Sequence, residues 1–174
     1  MALNDIYAKL LATVPDLSPA QRSKTSQRAG EAFEFLTQGY TVDLKALTQN
    51  SLYPCPDSGQ VLVKNIEFIS LCEHHLLPML GTCHIAYLPQ GQVLGLGKIS
   101  EIVQMFSRRL QLQEKLTSEI AQAMMQATQA SGVAVMIEAK HLCTALLGVE
   151  KTNQVVATTC FLGSLSQAGA ALFR

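Results

Sequence analysis

The chain has 174 residues, 48% of them hydrophobic and only 15% charged, and its basic and acidic side chains balance to a net charge of zero. That length suits one domain with a substantial core rather than two large ones. A nucleic-acid binder would normally show a basic patch, and none is visible in the sequence; no apolar run approaches the ~20 residues that span a bilayer.

The first third is expected to be helical. Leu3, Ile6, Leu10, Leu11 and Val14 recur at helical spacing, and a polar break follows from Pro15 to Lys24. A second helix is expected from Thr25 or Ser26, with Ala29, Ala32, Phe33 and Leu36 on one face and a stop at Gly39, and a short third helix after Asp43. Pro54-Cys55-Pro56-Asp57-Ser58-Gly59 is a turn-rich linker. The character changes at Val61. Val61 to Leu71 and Thr82 to Leu88 are β-branched and partly alternating, so both are expected as strands. Pro89-Gln90-Gly91-Gln92 is a turn before a short apolar run, Val93 to Leu96. One helical stretch then carries Ile99, Ile102, Val103 and Phe106. A longer one carries Leu116, Ile120, Ala123, Met124 and Ala127 and is expected to end at Gly132. Val133 to His141 alternates as a third strand, and a fourth is expected from Val155 to Leu162. This order predicts an α+β domain over 60–165 after a helical region at 1–50, with a small, polar tail at 166–174 expected to be partly disordered.

The average soluble domain is roughly 25% charged, so the low charge here points to extensive subunit contact. Met1-Ala2-Leu3-Asn4-Asp5 lacks the basic and apolar regions of a signal peptide, and a cytoplasmic location is expected. Cys55, Cys72, Cys83, Cys143 and Cys160 would then favour metal binding over disulfides. Two short clusters carry that chemistry, Cys72-Glu73-His74-His75 and His141-Leu142-Cys143. Zinc takes sulfur and nitrogen donors in tetrahedral geometry, and a catalytic ion keeps one position for water. A Cys-x-x-His turn can aim Cys72 and His75 at one point, and Cys143 would be the third ligand. His74 and His141 then stand beside the metal for proton transfer, which suggests a hydrolase. The bland alternative is a closed structural site with His74 or His141 as fourth ligand. Cys83 and Cys160 read as buried apolar residues, His84 as a core or interface histidine, Cys55 as inert, and Arg108 with Arg109 as a solvated helix end.

Cys72-Glu73-His74-His75-Leu76-Leu77-Pro78 resembles the Cys-Glu-His-His-x-x-Pro signature of the GTP cyclohydrolase I family. The likeness continues through Ile85 to Pro89, Gly95 to Ile99, Arg109 to Thr117, Gly132 to Val135, His141 to Cys143 and Gly148-Val149. It covers roughly Val61 to Leu165 strongly and the N-terminal helices weakly. The resemblance implies a tunnelling fold, or T-fold, with an antiparallel four-stranded sheet, two helices on one face and additional N-terminal helices. It implies a toroidal homodecamer with active sites at subunit interfaces. The implied reaction opens the guanine imidazole ring of GTP, releases C8 as formate and forms 7,8-dihydroneopterin triphosphate. Carried over to this chain, Cys72, His75 and Cys143 are ligands of Zn2+, His74 and His141 the acid/base pair, and Gln113 and Glu114 the guanine readers. Lys98 and Arg28 would bind phosphate.

The departures fall in one place. The family's Ser-Lys-x-x-Arg reads Gly97-Lys98-Ile99-Ser100-Glu101, its Arg-Gly after the second zinc cysteine reads Leu147-Gly148, and its Thr-Pro-x-Arg-x-x-Lys reads Thr25 to Glu31. Three cationic positions of the expected triphosphate pocket are therefore Glu101, Leu147 and Glu31. Each lost phosphate contact costs about 1.5–3 kcal/mol. A divergent paralogue acting on a purine or pterin-like ring without the triphosphate is the alternative, and a non-catalytic, zinc-stabilised assembly protein is a further one.

Overall fold

Helix boundaries in the N-terminal third follow capping chemistry more closely than apolar spacing. In the computed structural model, which describes residues 2–57, 59–147 and 153–173, α1 spans Leu3–Leu11 and α2 spans Pro19–Thr37. The second helix thus starts well before Thr25. Ser18 Oγ accepts from the Gln21 amide at 3.3 Å, and the Gln21 side chain accepts from the Ser18 amide at 2.9 Å. This capping box, with proline in the first turn, satisfies amide donors that would otherwise lack partners. A 3-10 turn, Gln38–Thr41, leads to α3, Leu44–Thr48, which Asp43 caps.

The main sheet is built from β2 (Val61–Cys72), β3 (Pro78–Leu88), β6 (Gly132–His141) and β7 (Val156–Gly163), which pair antiparallel in that order. A fifth, two-residue strand, β5 (Leu110–Gln111), adds to the edge in parallel, with Leu71 opposite Leu110 and Cys72 opposite Gln111. The four-stranded expectation therefore holds for the long strands and gains one short edge. A separate ribbon joins β1 (Leu52–Pro54) to β4 (Gln92–Leu94). Helices α4 (Leu96–Ser107) and α5 (Gln113–Thr128) cover one face of the sheet, where Ile85 and Ile137 meet Ile102 and Ile120 in the core. Helix α5 stops short of Gly132 because Gln129 adopts the left-handed cap conformation at φ 50°, and Gly132 instead opens β6.

The opposite face of the sheet carries Leu80, Thr82, His84 and Ala86. His84 is buried, and its Nδ1 accepts from the Asn65 amide at 3.4 Å, where β2 shifts register and Asn65 takes φ 59°. The tail carries a short regular element. Residues Ala170–Phe173 form a 3-10 turn, and Phe173 is buried against Phe161 and His84. Together with Leu165 it covers Ala86 and Ala134, so one aromatic residue outweighs the small residues around it.

Candidate metal and catalytic site

At the end of β2 the chain reverses through a tight turn. Cys72 donates its amide to Leu77 O at 2.9 Å, and Cys72 O accepts from the Leu76 amide at 2.9 Å. Leu76 adopts φ 55°, the left-handed conformation that closes the loop. A hydrogen bond of 3.1 Å from the Glu73 amide to Gln111 O ties the turn to β5. The result brings Cys72 Sγ and His75 Nδ1 to 3.8 Å of each other.

The third donor comes from across the sheet. Residue His141 ends β6, opposite Met79, and the chain then enters a short helix, α6 (Leu142–Leu146), that carries Cys143. Thr144 Oγ1 donates to His141 O at 2.9 Å and fixes this junction. The donor atoms of Cys72, His75 and Cys143 all lie within 4.8 Å of one another. Tetrahedral zinc bonds sulfur at about 2.3 Å and nitrogen at about 2.0–2.1 Å, which separates its ligand atoms by about 3.6–3.8 Å. The three side chains thus fit a metal ion with minor closure. Burial, and then the neighbouring Cys72 thiol, push the Cys143 thiol upward. Two thiolates side by side need a cation between them. By contrast, Cys83 is fully buried in the core, and burial alone pushes its thiol far up.

The neighbouring histidines differ in setting. His74 is exposed, its ring edge-on to that of His75 at 6.0 Å between centroids. His141 is half-buried, and its Nε2 lies 2.7 Å from Gln113 Oε1. Burial lowers the His141 pKa, while the charge of Glu114 acts in the opposite sense. Gln113 is almost fully buried at the start of α5 and donates from Nε2 to Ile137 O, Val156 O and Thr158 Oγ1 at 2.9–3.1 Å. Its neighbour Glu114 is exposed in the first helical turn, where a carboxylate suits the helix dipole.

The expected phosphate residues lie elsewhere on the chain. Lys98 sits in the first turn of α4, next to the β1–β4 ribbon, where the Leu94 amide donates to Tyr87 Oη at 3.3 Å. Along β3, Tyr87 is eight residues from Met79, roughly 26 Å at strand rise, so Lys98 lies towards the opposite end of the sheet from the cysteines. It is also engaged: Lys98 Nζ donates to Glu101 Oε2 at 2.7 Å. Arg28 is exposed on α2, where the nearby Glu31 accepts from Gln27 at 2.9 Å. Leu147 is exposed after α6, and Gly148-Val149 fall outside the described residues. A cavity of about 550 Å3 lies between α2, β2, β3 and α4, lined by Phe35, Phe68 and Arg108, and none of the metal donors borders it.

Sequence reasoning missed the residues that hold the site from behind. Arg109 is not a solvated helix end. Its Nε donates to Gly39 O at 3.1 Å and Met105 O at 3.2 Å, and its guanidinium stacks on Phe106. This seats β5 beside Cys72. Thr117 and Thr158, 2.7 Å apart between α5 and β7, support Gln113; two hydroxyls at inward-facing positions were the available signal.

Comparison with known proteins agrees along the whole chain. A sequence model of the family described as GTP cyclohydrolase I matches residues 4–172. The protein named GTP cyclohydrolase 1 1 from Pseudomonas putida is 46% identical over 164 residues, 94% of this chain and 86% of that relative. GTP cyclohydrolase 1 from Methylococcus capsulatus is 46% identical over 162 residues, covering 92% of this chain and 88% of its own. Among solved structures, an archaeosine synthase QueF-like protein in the apo form aligns with a TM-score of 0.52 at 18% identity, over 62% of this chain and 96% of that one, a likeness of fold alone.

Proposed function

Because the chain belongs to the GTP cyclohydrolase I family, we propose that it hydrolytically opens the guanine imidazole ring of GTP, releasing C8 as formate and forming 7,8-dihydroneopterin triphosphate. Its architecture is the tunnelling fold. The observation that carries the proposal is the convergence of Cys72, His75 and Cys143 beside His141 and Glu114 at one end of the sheet.

Cys72, His75 and Cys143 would hold Zn2+, a donor set of two sulfurs and one nitrogen that leaves a tetrahedral position free. When bound, the ion supplies Lewis-acid activation of water at neutral pH. The Glu114 carboxylate accepts from both the ring N–H and the exocyclic amino group of guanine, an edge that few single side chains match. As the bonds from C8 to its two ring nitrogens break, each nitrogen must gain a proton. His141 is suited to this because imidazole exchanges protons near neutral pH; burial holds its pKa below the ordinary value, with the Glu114 charge opposing. His74, exposed next to His75, is the second group able to move a proton there.

Lys98 and Arg28 are the remaining candidates for phosphate. Lys98 lies roughly a sheet length from the cysteines on its own chain, so a second copy of the chain would have to bring it to the site. Leu62, Ile69 and Leu80 are exposed on the sheet face away from α4 and α5, and cover by another copy would bury them. A homo-oligomer with shared sites follows, a homodecamer by family resemblance. No helix among the described residues is long and apolar enough to cross a membrane. The five unpaired cysteines suit a reducing, cytoplasmic setting.

A second reading rests on the Lys98–Glu101 ion pair. With Glu101 occupying that lysine, and with Leu147 and Glu31 at two further expected cationic positions, the substrate would be a purine or pterin-like ring without the triphosphate. Zinc-loaded protein given GTP, GMP, guanosine or guanine, with formate and pterin fluorescence measured, separates the readings. GTP turnover at low KM supports the first, and turnover of guanosine alone replaces it with the second. Silence with every purine favours an assembly protein. His141→Ala should abolish turnover while leaving zinc bound.

A further inference from the structure

We infer that Gln113 is a positioning residue that holds His141 as the Nε2–H tautomer, so that His141 exchanges protons with the substrate at Nδ1. This rests on the reading of His141 as a proton carrier in ring opening. The argument begins with the Gln113 amide. Its nitrogen faces two backbone carbonyls, Ile137 O at 3.1 Å and Val156 O at 2.9 Å. Carbonyl oxygens only accept, so exchanging the amide nitrogen and oxygen would set three oxygens against one another. The orientation is therefore dictated by the strands.

With Nε2 so placed, Gln113 Oε1 is an acceptor aimed at His141 Nε2 across 2.7 Å. The opposite tautomer would put two lone pairs at that distance. A neutral imidazole with hydrogen on Nε2 keeps its lone pair on Nδ1. The threonines reinforce one direction of donation. Gln113 Nε2 donates to Thr158 Oγ1 at 3.1 Å, the two threonine hydroxyls meet at 2.7 Å, and Thr117 Oγ1 donates to Gln113 O at 2.7 Å. The two amide hydrogens serve three acceptors by sharing one of them, and the hydroxyl contact is satisfied when Thr158 donates to Thr117. Gln113 is 1% exposed, and its amide hydrogens are already taken by Ile137 O, Val156 O and Thr158 Oγ1, so it has no donor to offer a guanine edge. On this reading Gln113 acts through His141, and Glu114 is the residue left to accept from the guanine edge.

The test is long-range proton–nitrogen correlation NMR on histidine-labelled, zinc-loaded protein without substrate, at a pH where His141 is neutral, with His141 assigned through bonds. The expected spectrum has a protonated Nε2 and an unprotonated Nδ1; a protonated Nδ1 overturns the inference. This measurement needs no variant to fold and no turnover, so failure of the GTP assignment would leave it intact. In the Gln113→Met variant, assayed with whichever purine the wild type turns over, kcat should fall roughly 10- to 100-fold with KM little changed. The His141 signals should also shift towards mixed tautomers. A raised KM with unchanged kcat and an unchanged tautomer would make Gln113 a substrate-binding residue and overturn the inference.

Discussion

Replacing glycine by alanine should have opposite effects at Gly39 and Gly97. A Cβ on Gly39 would lie 2.1 Å from Met105 O and 2.7 Å from Arg108 O, both backbone atoms that cannot swing away. Ordinary contact begins near 3.4 Å, so the 3-10 turn and the end of α4 must separate by about 1.3 Å. That lengthens the hydrogen bond from the Gly39 amide to Arg108 O, now 2.9 Å, and the one from Arg109 Nε to Gly39 O, now 3.1 Å. A neutral hydrogen bond contributes about 1 kcal/mol and one from a charged group about 1.5–3, so Gly39→Ala should cost roughly 3 kcal/mol. At roughly 2–4 °C per kcal/mol for a chain of this size, Tm should drop by about 6–12 °C. A Cβ on Gly97, within α4, meets nothing within 4 Å. Gly97→Ala should then gain about 0.5–1 kcal/mol through reduced freedom of the unfolded chain. Calorimetric scans at matched protein and zinc concentrations would read both. Equal shifts, or an unchanged Tm for Gly39→Ala, would refute the close-approach argument. Because this junction seats β5 next to Cys72, Gly39→Ala should also lower the bound zinc measured by elemental analysis.

Chelation should lower Tm of the wild type, since zinc at a hundredfold excess over Kd stabilises by about 2.7 kcal/mol, and Cys143→Ala should bind no zinc and show no response to chelator. Burial lowers the His84 pKa, and Lys64 adds to this against the opposing charge of Glu138, which faces its Nε2 at 3.8 Å. The folded state therefore takes up fewer protons than the unfolded one, so the stability from neutral His84 is full above about pH 6.5 and is lost as pH falls below it. Thermal scans from about pH 7.5 to about pH 5.5 should show a smaller acid-induced fall in Tm for His84→Gln than for the wild type. Glu101→Gln should free Lys98 and lower KM for GTP roughly tenfold while leaving guanosine unaffected, as steady-state kinetics would show; equal changes for both would mean Lys98 does not meet phosphate.

The four long strands and the two core helices were legible from alternation and helical spacing, because burial on one face writes a period into the chain. Boundaries were less so. The start of α2 depended on a Ser18–Gln21 capping box rather than on apolar residues, and the end of α5 on Gln129 rather than Gly132. The 3-10 turn near the end of the chain was not legible, because Phe173 packs against residues remote in sequence, among them His84, Ala86 and Ala134.

At the site, the sequence by itself determined the donor chemistry. Cysteine and histidine at short spacing have few other uses in an undisulfided chain, and Cys72, His75 and Cys143 are those residues. Which atoms meet was decided by tertiary structure. Register between β3 and β6 sets His141 opposite Met79 and so delivers Cys143 to Cys72 from 71 positions along the chain. The same packing buries Gln113 and turns its oxygen to His141, an orientation dictated by two carbonyls on β6 and β7. It also carries Lys98 away from the cysteines and pairs it with Glu101. Residue type is local, but hydrogen-bond direction and distance between charges belong to the folded chain.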